Sequence, residues 1–142
     1  MPPSDVQPYE VFRRWLLADA ALAAEVTNRI YVGGLPDLLQ ALMPVKAIDV
    51  FTVAGNSDRY LRLDRPVFQV ECYGPTLADA RDVYLKLRAK RREVNSMQAV
   101  VGGNAYRFWT DEAMGGIDDI MPVTDWPRVI SRWEMVSWEQ TA

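Results

Sequence analysis

Histidine is absent from all 142 residues. That removes the usual general base near neutral pH and the commonest metal ligand, and with them Ser-His-Asp and Cys-His catalysis and the ordinary zinc and iron sites. Cysteine is nearly absent too. Cys72 is the one thiol, so no internal disulfide forms, and its place inside an alternating apolar run marks a small buried side chain. No apolar run approaches the roughly 18–20 residues that span a bilayer. The opening MPPSDVQPYE has neither the basic stretch nor the apolar core of a secretory signal. The expectation is a chain kept in a cytoplasm, with no membrane partner. Positive charge is also short: 16 Lys and Arg against 19 Asp and Glu leave a formal charge of −3. Nucleic-acid binding leans on positive potential to release counterions, so direct nucleic-acid recognition is not expected.

What is present is the balance of an ordinary globular protein, 49% apolar and 25% charged, in a length that suits one domain over residues 1–142. Tyr9, Phe12, Trp15 and Leu16 recur at three- and four-residue intervals, with Arg13 and Arg14 opposite, and predict an amphipathic helix starting after Ser4 or Asp5. Asp19 is placed to cap a second, short helix through LADAALAAEV. RIYV then reads as a short strand closed by Gly33 and Gly34, DLLQALM as a helical turn, and Val45–Val53 as a β-branched strand interrupted by Asp49. AGNSDRY, at 54–60, reads as a turn.

From Arg65 the chain alternates. Phe68, Val70 and Cys72 share the core face of a strand, and Gln69 and Glu71 point to polar surroundings. Gly74 and Pro75 stop it. Thr76 and Asp79 have capping-box spacing for a helix from Leu77, whose stripe of Leu77, Ala80, Tyr84 and Leu87 faces the sheet. Its C-terminal Lys86, Arg88, Lys90, Arg91 and Arg92 read as a solvated face that also suits the helix dipole. AYRFWT is strand-like, and the acidic 111–127 stretch reads as loop-rich, carrying a short strand at Gly116–Met121. RVISRWEMVSWE is a long final strand with Trp133 and Met135 on one face and Trp138 on the other. The sum is an α+β protein: a mainly antiparallel sheet of four to five strands, with N-terminal helices and one central amphipathic helix packed on it.

No catalytic pattern emerges. The Gly33-Gly34, Gly102-Gly103 and Gly115-Gly116 doublets match neither a P-loop nor a dinucleotide fingerprint. Ser57 and Ser96 have no activating neighbours, and neither Lys46 nor Lys86 sits in an apolar, charge-poor setting that would make it a nucleophile. The carboxylates from Asp111 to Asp125 lack calcium-loop spacing. No catalytic, cofactor or metal residues are therefore assigned, and no enzymatic activity is expected. Two surface features remain. Five Trp is a generous number, and Trp138 is either covered on a two-sided sheet or an aromatic anchor at a subunit interface. A basic helix end and an acidic stretch in one small protein would let copies join head to tail and close a ring.

The order LLADAALAAEVTNRIYVGGLP, VFQVECYG, TLADARDVYLKLRAK, RVISRWEMVSWE resembles the tail terminator or tail-completion (head-tail joining) proteins of long-tailed bacteriophages and gene transfer agents. The resemblance is closest at Arg29–Tyr31 and Val67–Ala80, and it does not extend to 111–127. It implies a structural virion protein that forms a ring, commonly a hexamer, on the head-proximal end of the tail tube. Such a ring ends tube polymerisation and offers a surface to the head-side connector or stopper protein. The partners implied are further copies of itself, the tube protein and that connector, with assembly in the host cytoplasm. Contact residues expected on this reading are Arg88, Arg91 and Arg92 on the helix end, Asp111, Asp118 and Asp119 on the acidic stretch, Arg59 and Tyr60 in the turn after Val53, and Trp138. Another neck component, such as a head-completion or stopper protein, is the near alternative. A ligand-binding or enzymatic α+β domain using the 111–125 carboxylates is the distant one.

Overall fold

The structure, a computed structural model, describes residues 8–58, 63–91, 97–101 and 104–139. Helix α1 (Pro8–Leu17) leads to α2 (Ala20–Glu25), β1 (Ile30–Val32), α3 (Asp37–Gln40), β2 (Ala47–Asp58) and β3 (Leu63–Tyr73). Helix α4 (Leu77–Arg91) precedes β4 (Met97–Val101), β5 (Asn104–Ile120) and β6 (Pro127–Glu139). One six-stranded sheet runs in the order β1-β2-β3-β6-β5-β4. β1 is parallel to β2, and every other neighbouring pair is antiparallel. The expected α+β architecture is present, with β4 as the strand not anticipated.

Local chemistry sets the helix ends. The Asp19 carboxylate accepts the Leu22 N–H at 2.9 Å, satisfying one of the donors that a helix start leaves unpaired. Past its C-terminus, α2 turns through Thr27 and Asn28 in the left-handed region, φ 51° and 58°, and the Asn28 N–H donates to the Ala23 carbonyl at 2.8 Å. At α4 the Asp79 N–H donates to the Thr76 hydroxyl at 3.2 Å, and that hydroxyl donates to the Asp79 carboxylate at 2.9 Å. Gly74 is required here: a Cβ would stand 2.5 Å from the Ala80 backbone nitrogen, so only glycine lets β3 hand over to the helix this closely.

The core lies between the helices and one face of the sheet. Phe12, Leu16, Val83 and Leu87 come from the helices, and Ile48, Val50, Phe68, Val70, Cys72 and Trp133 from the strands, all with no exposed surface. Phe12 is the hub, its ring 5.1 Å from Phe68, 5.7 Å from Trp15 and 6.4 Å from Trp133. α1 touches both sheet edges, β1 and β4, so the sheet curls around it.

Three sequence expectations give way. Residues 54–58 continue β2, paired with β3 as far as Asp58↔Leu63 beyond a register shift at Thr52/Ala54. The acidic stretch, expected to be strand only over Gly116–Met121, is strand from Asp111 to Ile120: it is the second half of β5, paired with β6, with register shifts at Glu112/Met114 and Met114/Ile117 taking up the glycines. Lys90 is not on a solvated face. It is 8% exposed, with Nζ 5.3 Å from the centre of the Trp15 ring and 3.7 Å from the Asp19 carboxylate.

Candidate functional site

Because strand residues alternate between faces, the residues between the core positions form a second, helix-free face of the sheet. On β2 these are Asp49 and Phe51; on β3, Gln69, Glu71 and Tyr73; on β6, Arg128. At the end of the sheet where β2 begins and β3 finishes, they floor a cleft of about 270 Å³. Its walls are the segment after β1, with Gly34, Leu35 and Gln40, and the β5–β6 turn, with Met121, Thr124 and Trp126.

The floor is a hydrogen-bonded charge network. Glu71, 6% exposed, accepts from Gln69 Nε2 at 3.0 Å, from the Tyr73 hydroxyl at 2.5 Å and from Arg128 at 3.1 Å. Arg128 also donates through Nε to Asp119 at 2.6 Å. Burial, then the hydrogen bond to Glu71 and its charge, pushes the Tyr73 hydroxyl above the usual phenol range, so it stays a donor. Trp126 closes edge-on against Tyr73, with ring centres 6.3 Å apart.

Asp49 differs from Glu71. It is 1% exposed and accepts the Gly34 N–H at 3.1 Å and the Val50 N–H. No Lys or Arg among the described residues pairs with it. Burial pushes its pKa up to about 7, the nearby Glu71 charge adds to the rise, and the two backbone donors offset only part of it. Carboxylates therefore outnumber guanidiniums in the cleft, with Arg128 already shared between Glu71 and Asp119.

The wall of the β5–β6 turn holds an unusual backbone. Val123 is fully exposed at φ 73°, and Asp125 follows at φ 58°. A β-branched residue in the left-handed region is rare and costs about 1–3 kcal/mol. The turn is held by the Met121 N–H donating to the Trp126 carbonyl at 2.9 Å and by the Asp125 N–H donating to the Met121 carbonyl at 2.9 Å. Leu38 in α3 and Leu42 just after it are exposed.

The expected contact residues do not form one patch. Asp118 and Asp119, read from sequence as one acidic loop, point to opposite faces of β5. Asp118 pairs with Arg81 on the helix side, and Asp119 pairs with Arg128 on the open side. They share no ligand, which separates the carboxylates that a metal or acid-base reading would need together. Arg88 leans on Glu112 of β5, Nε to Oε2 at 3.8 Å, and the Tyr84 hydroxyl donates to that same carboxylate. Asp111 pairs in register with Glu134, Trp138 lies in β6 opposite Arg107, and Arg91 ends α4. The side chains of Arg91, Asp111 and Trp138, and Arg59, Tyr60 and Arg92 altogether, lie outside the described residues. On the helix side Glu25 accepts from both Lys46 and Lys86, and those hydrogen bonds hold its carboxyl below the usual range.

Sequence reasoning missed the cleft. Its one signal was Asp49, a charged residue inside a β-branched run. Glu71 and Arg128 lie 57 positions apart, and their pairing becomes visible only once β3 and β6 are neighbours.

No family model matches the chain, and no curated protein matches it. Among solved structures, it resembles a chain described as part of the virion of a native gene transfer agent particle. The TM-score is 0.61, identity is 17%, and the match covers 94% of this chain and 95% of the other. Likeness at that identity is likeness of fold.

Proposed function

We propose that this chain is a structural virion protein of a tailed bacteriophage or gene transfer agent, and that in the particle it is the tail terminator. Copies form a ring on the head-proximal end of the tail tube, stop further tube growth and carry the surface that meets the head-side connector. The observation that carries this reading is the fold shared with the virion chain over almost the full length of both. It is supported independently by a sequence whose segment order resembles the terminator family and which holds no histidine. Mechanistically the ring presents one surface that satisfies the last tube subunits and another that cannot recruit the next, which is discrimination by mismatch as much as by fit. No step needs bond chemistry.

The test is deletion of the reading frame in the producing cell, followed by electron microscopy of the particles. The expected result is tubes that overrun their normal length and do not join heads, with labelled protein restored at the head-proximal tail end on complementation. Tails of normal length joined to heads without the chain would overturn the proposal. Label on heads lacking tails would move the chain to a head-side neck component.

A further inference from the structure

Residues 33–46 carry the chain from β1 to β2 and form one wall of the cleft, and little holds them down. Leu39 is their one buried side chain. Their helix, α3, is four residues long and has no side-chain cap at its start. Segments with so few buried contacts open locally at small cost. The two ends differ. At the far end Arg29 Nε donates to the Lys46 carbonyl at 2.9 Å, and Lys46 pairs with Glu25. At the near end the chain leaves the sheet through Gly33 and Gly34, φ 74° and 130°, where an added Cβ would meet nothing within 4 Å. Glycine serves there for backbone freedom and not for close packing, which is what a hinge needs.

One carboxyl holds that near end. Asp49 accepts the Gly34 N–H at 3.1 Å, and with residues 33–46 in place it is 1% exposed. Among the described residues, the groups that face it bring no cation of their own. Glu71 lies directly across the β2–β3 pair and Tyr31 across the β1–β2 pair. The cleft walls add Leu35 and Gln40 on one side and Thr124 and Trp126 on the other, none of them charged. Behind Glu71, the Tyr73 hydroxyl donates to it, and Arg128 is shared between Glu71 and Asp119. A neutral carboxyl is well placed in this setting. An ionised one, closed off from water beside a second carboxylate, is not. Lifting residues 33–46 costs the Gly34 hydrogen bond and the burial of Leu39, and it brings water to Asp49.

We propose that residues 33–46 are a strap latched on Asp49, and that ionisation of the Asp49 carboxyl releases the strap and widens the cleft. The device goes beyond the terminator reading and does not rest on it: it works within one chain and needs no partner to reach the buried carboxyl. Its direction follows from linkage. With the strap down the Asp49 pKa is about 7, raised first by burial and then by the Glu71 charge, against an ordinary 3.8. With the strap lifted, water moves the value back toward the ordinary one. Below about pH 4 both forms are protonated and the latch is at its firmest. Between about pH 4 and pH 7 the lifted form gives up its proton first and gains population, and above about pH 7 the balance levels off.

The test is amide hydrogen exchange, followed by nuclear magnetic resonance from about pH 5 to pH 8 on the full chain and on Asp49→Asn, with each rate corrected for the intrinsic rate at that pH. The Gly34 N–H reports the latch. The Val70 N–H, on a strand paired on both sides, reports unfolding of the whole chain. In the wild type, protection at Gly34 should fall at least about tenfold across that range and stay well below protection at Val70. In Asp49→Asn, which keeps an acceptor oxygen but does not ionise, it should stay level. Wild-type protection at Gly34 that stays level, or that rises with pH because the charged carboxylate grips the N–H harder, would overturn the latch. So would protection equal to that of Val70, since the opening would then be global, and so would an equal fall in Asp49→Asn, since the titrating group would lie elsewhere. None of these results bears on the terminator reading, which stands or falls with the deletion.

Discussion

The two faces of the sheet are made by the same strands, residue by alternate residue, yet they solve different problems. On β3 the helix-covered face carries Phe68, Val70 and Cys72, all without exposed surface, and on β6 it carries Val129, Trp133 and Met135. Its polar groups are settled internally: the Trp133 indole donates to Ser131 at 2.8 Å. The open face carries Gln69, Glu71 and Tyr73 on β3 and Arg128 on β6, with Asp49 beside them. There charge is compensated only in part, and one guanidinium serves two carboxylates. The first face accounts for folding by burial. The second holds charged groups whose burial opposes folding unless they are paired.

The largest effect should come from breaking the covered face. Trp133→Ala empties a site with no exposed surface beside Phe12 and strands the Ser131 hydroxyl. It should cost about 3–5 kcal/mol of unfolding free energy, read from urea or guanidinium midpoints. A cost under 1 kcal/mol would mean that the helix layer does not pack on this face as described. The open face should break differently. Arg128→Met leaves Glu71, its side chain 7% exposed, without its cation, at a cost of about 3 kcal/mol. Adding Glu71→Gln should recover most of that loss, because the uncompensated charge goes too. No second-site polar-to-neutral change should recover Trp133→Ala. Failure of the Gln rescue would show that Arg128 acts through packing.

The covered face was largely legible in the sequence because its signals are local. The α4 stripe at 3.6-residue spacing, the Asp19 and Thr76 caps and the two-residue alternation through Cys72 each sit within a few positions. The open face was not, because its geometry depends on strands far apart in sequence. AGNSDRY read as a turn and residues 111–115 as loop, since Gly, Asn and Asp are poor strand formers, but β-propensity is weak and pairing overrides it. The acidic half of β5 is held by β6, and its bulges absorb Gly115 and Gly116. At Gly116 the backbone N–H donates to the Tyr84 hydroxyl at 2.9 Å, and an added Cβ would come within 2.6 Å of that ring, so the glycine serves close packing inside a strand. Lys90 was misplaced for a related reason: counting it as solvated ignores a stem that lies along Trp15 and an ammonium that reaches Asp19.

The smallest effect sharpens the comparison most, because it changes sign from the others. Asp49 has an ordinary pKa of 3.8 and a folded-state pKa of about 7, raised first by burial and then by the Glu71 charge. The folded protein therefore holds this proton more tightly than the unfolded chain. Below about pH 4 both states are protonated and stability from this group is at its fullest. Between about pH 4 and pH 7 the unfolded chain ionises and the folded one resists, so stability falls; above pH 7 the penalty is constant. Asp49→Asn removes the ionisation and keeps the acceptor for Gly34. It should match wild type near pH 4 and exceed it by about 1–3 kcal/mol at pH 8, in denaturant titrations of the unassembled protein. Equal stabilities of the two proteins at pH 8 would mean that Asp49 is already compensated within its own chain, and the contrast between the faces would then lie in shape rather than in charge.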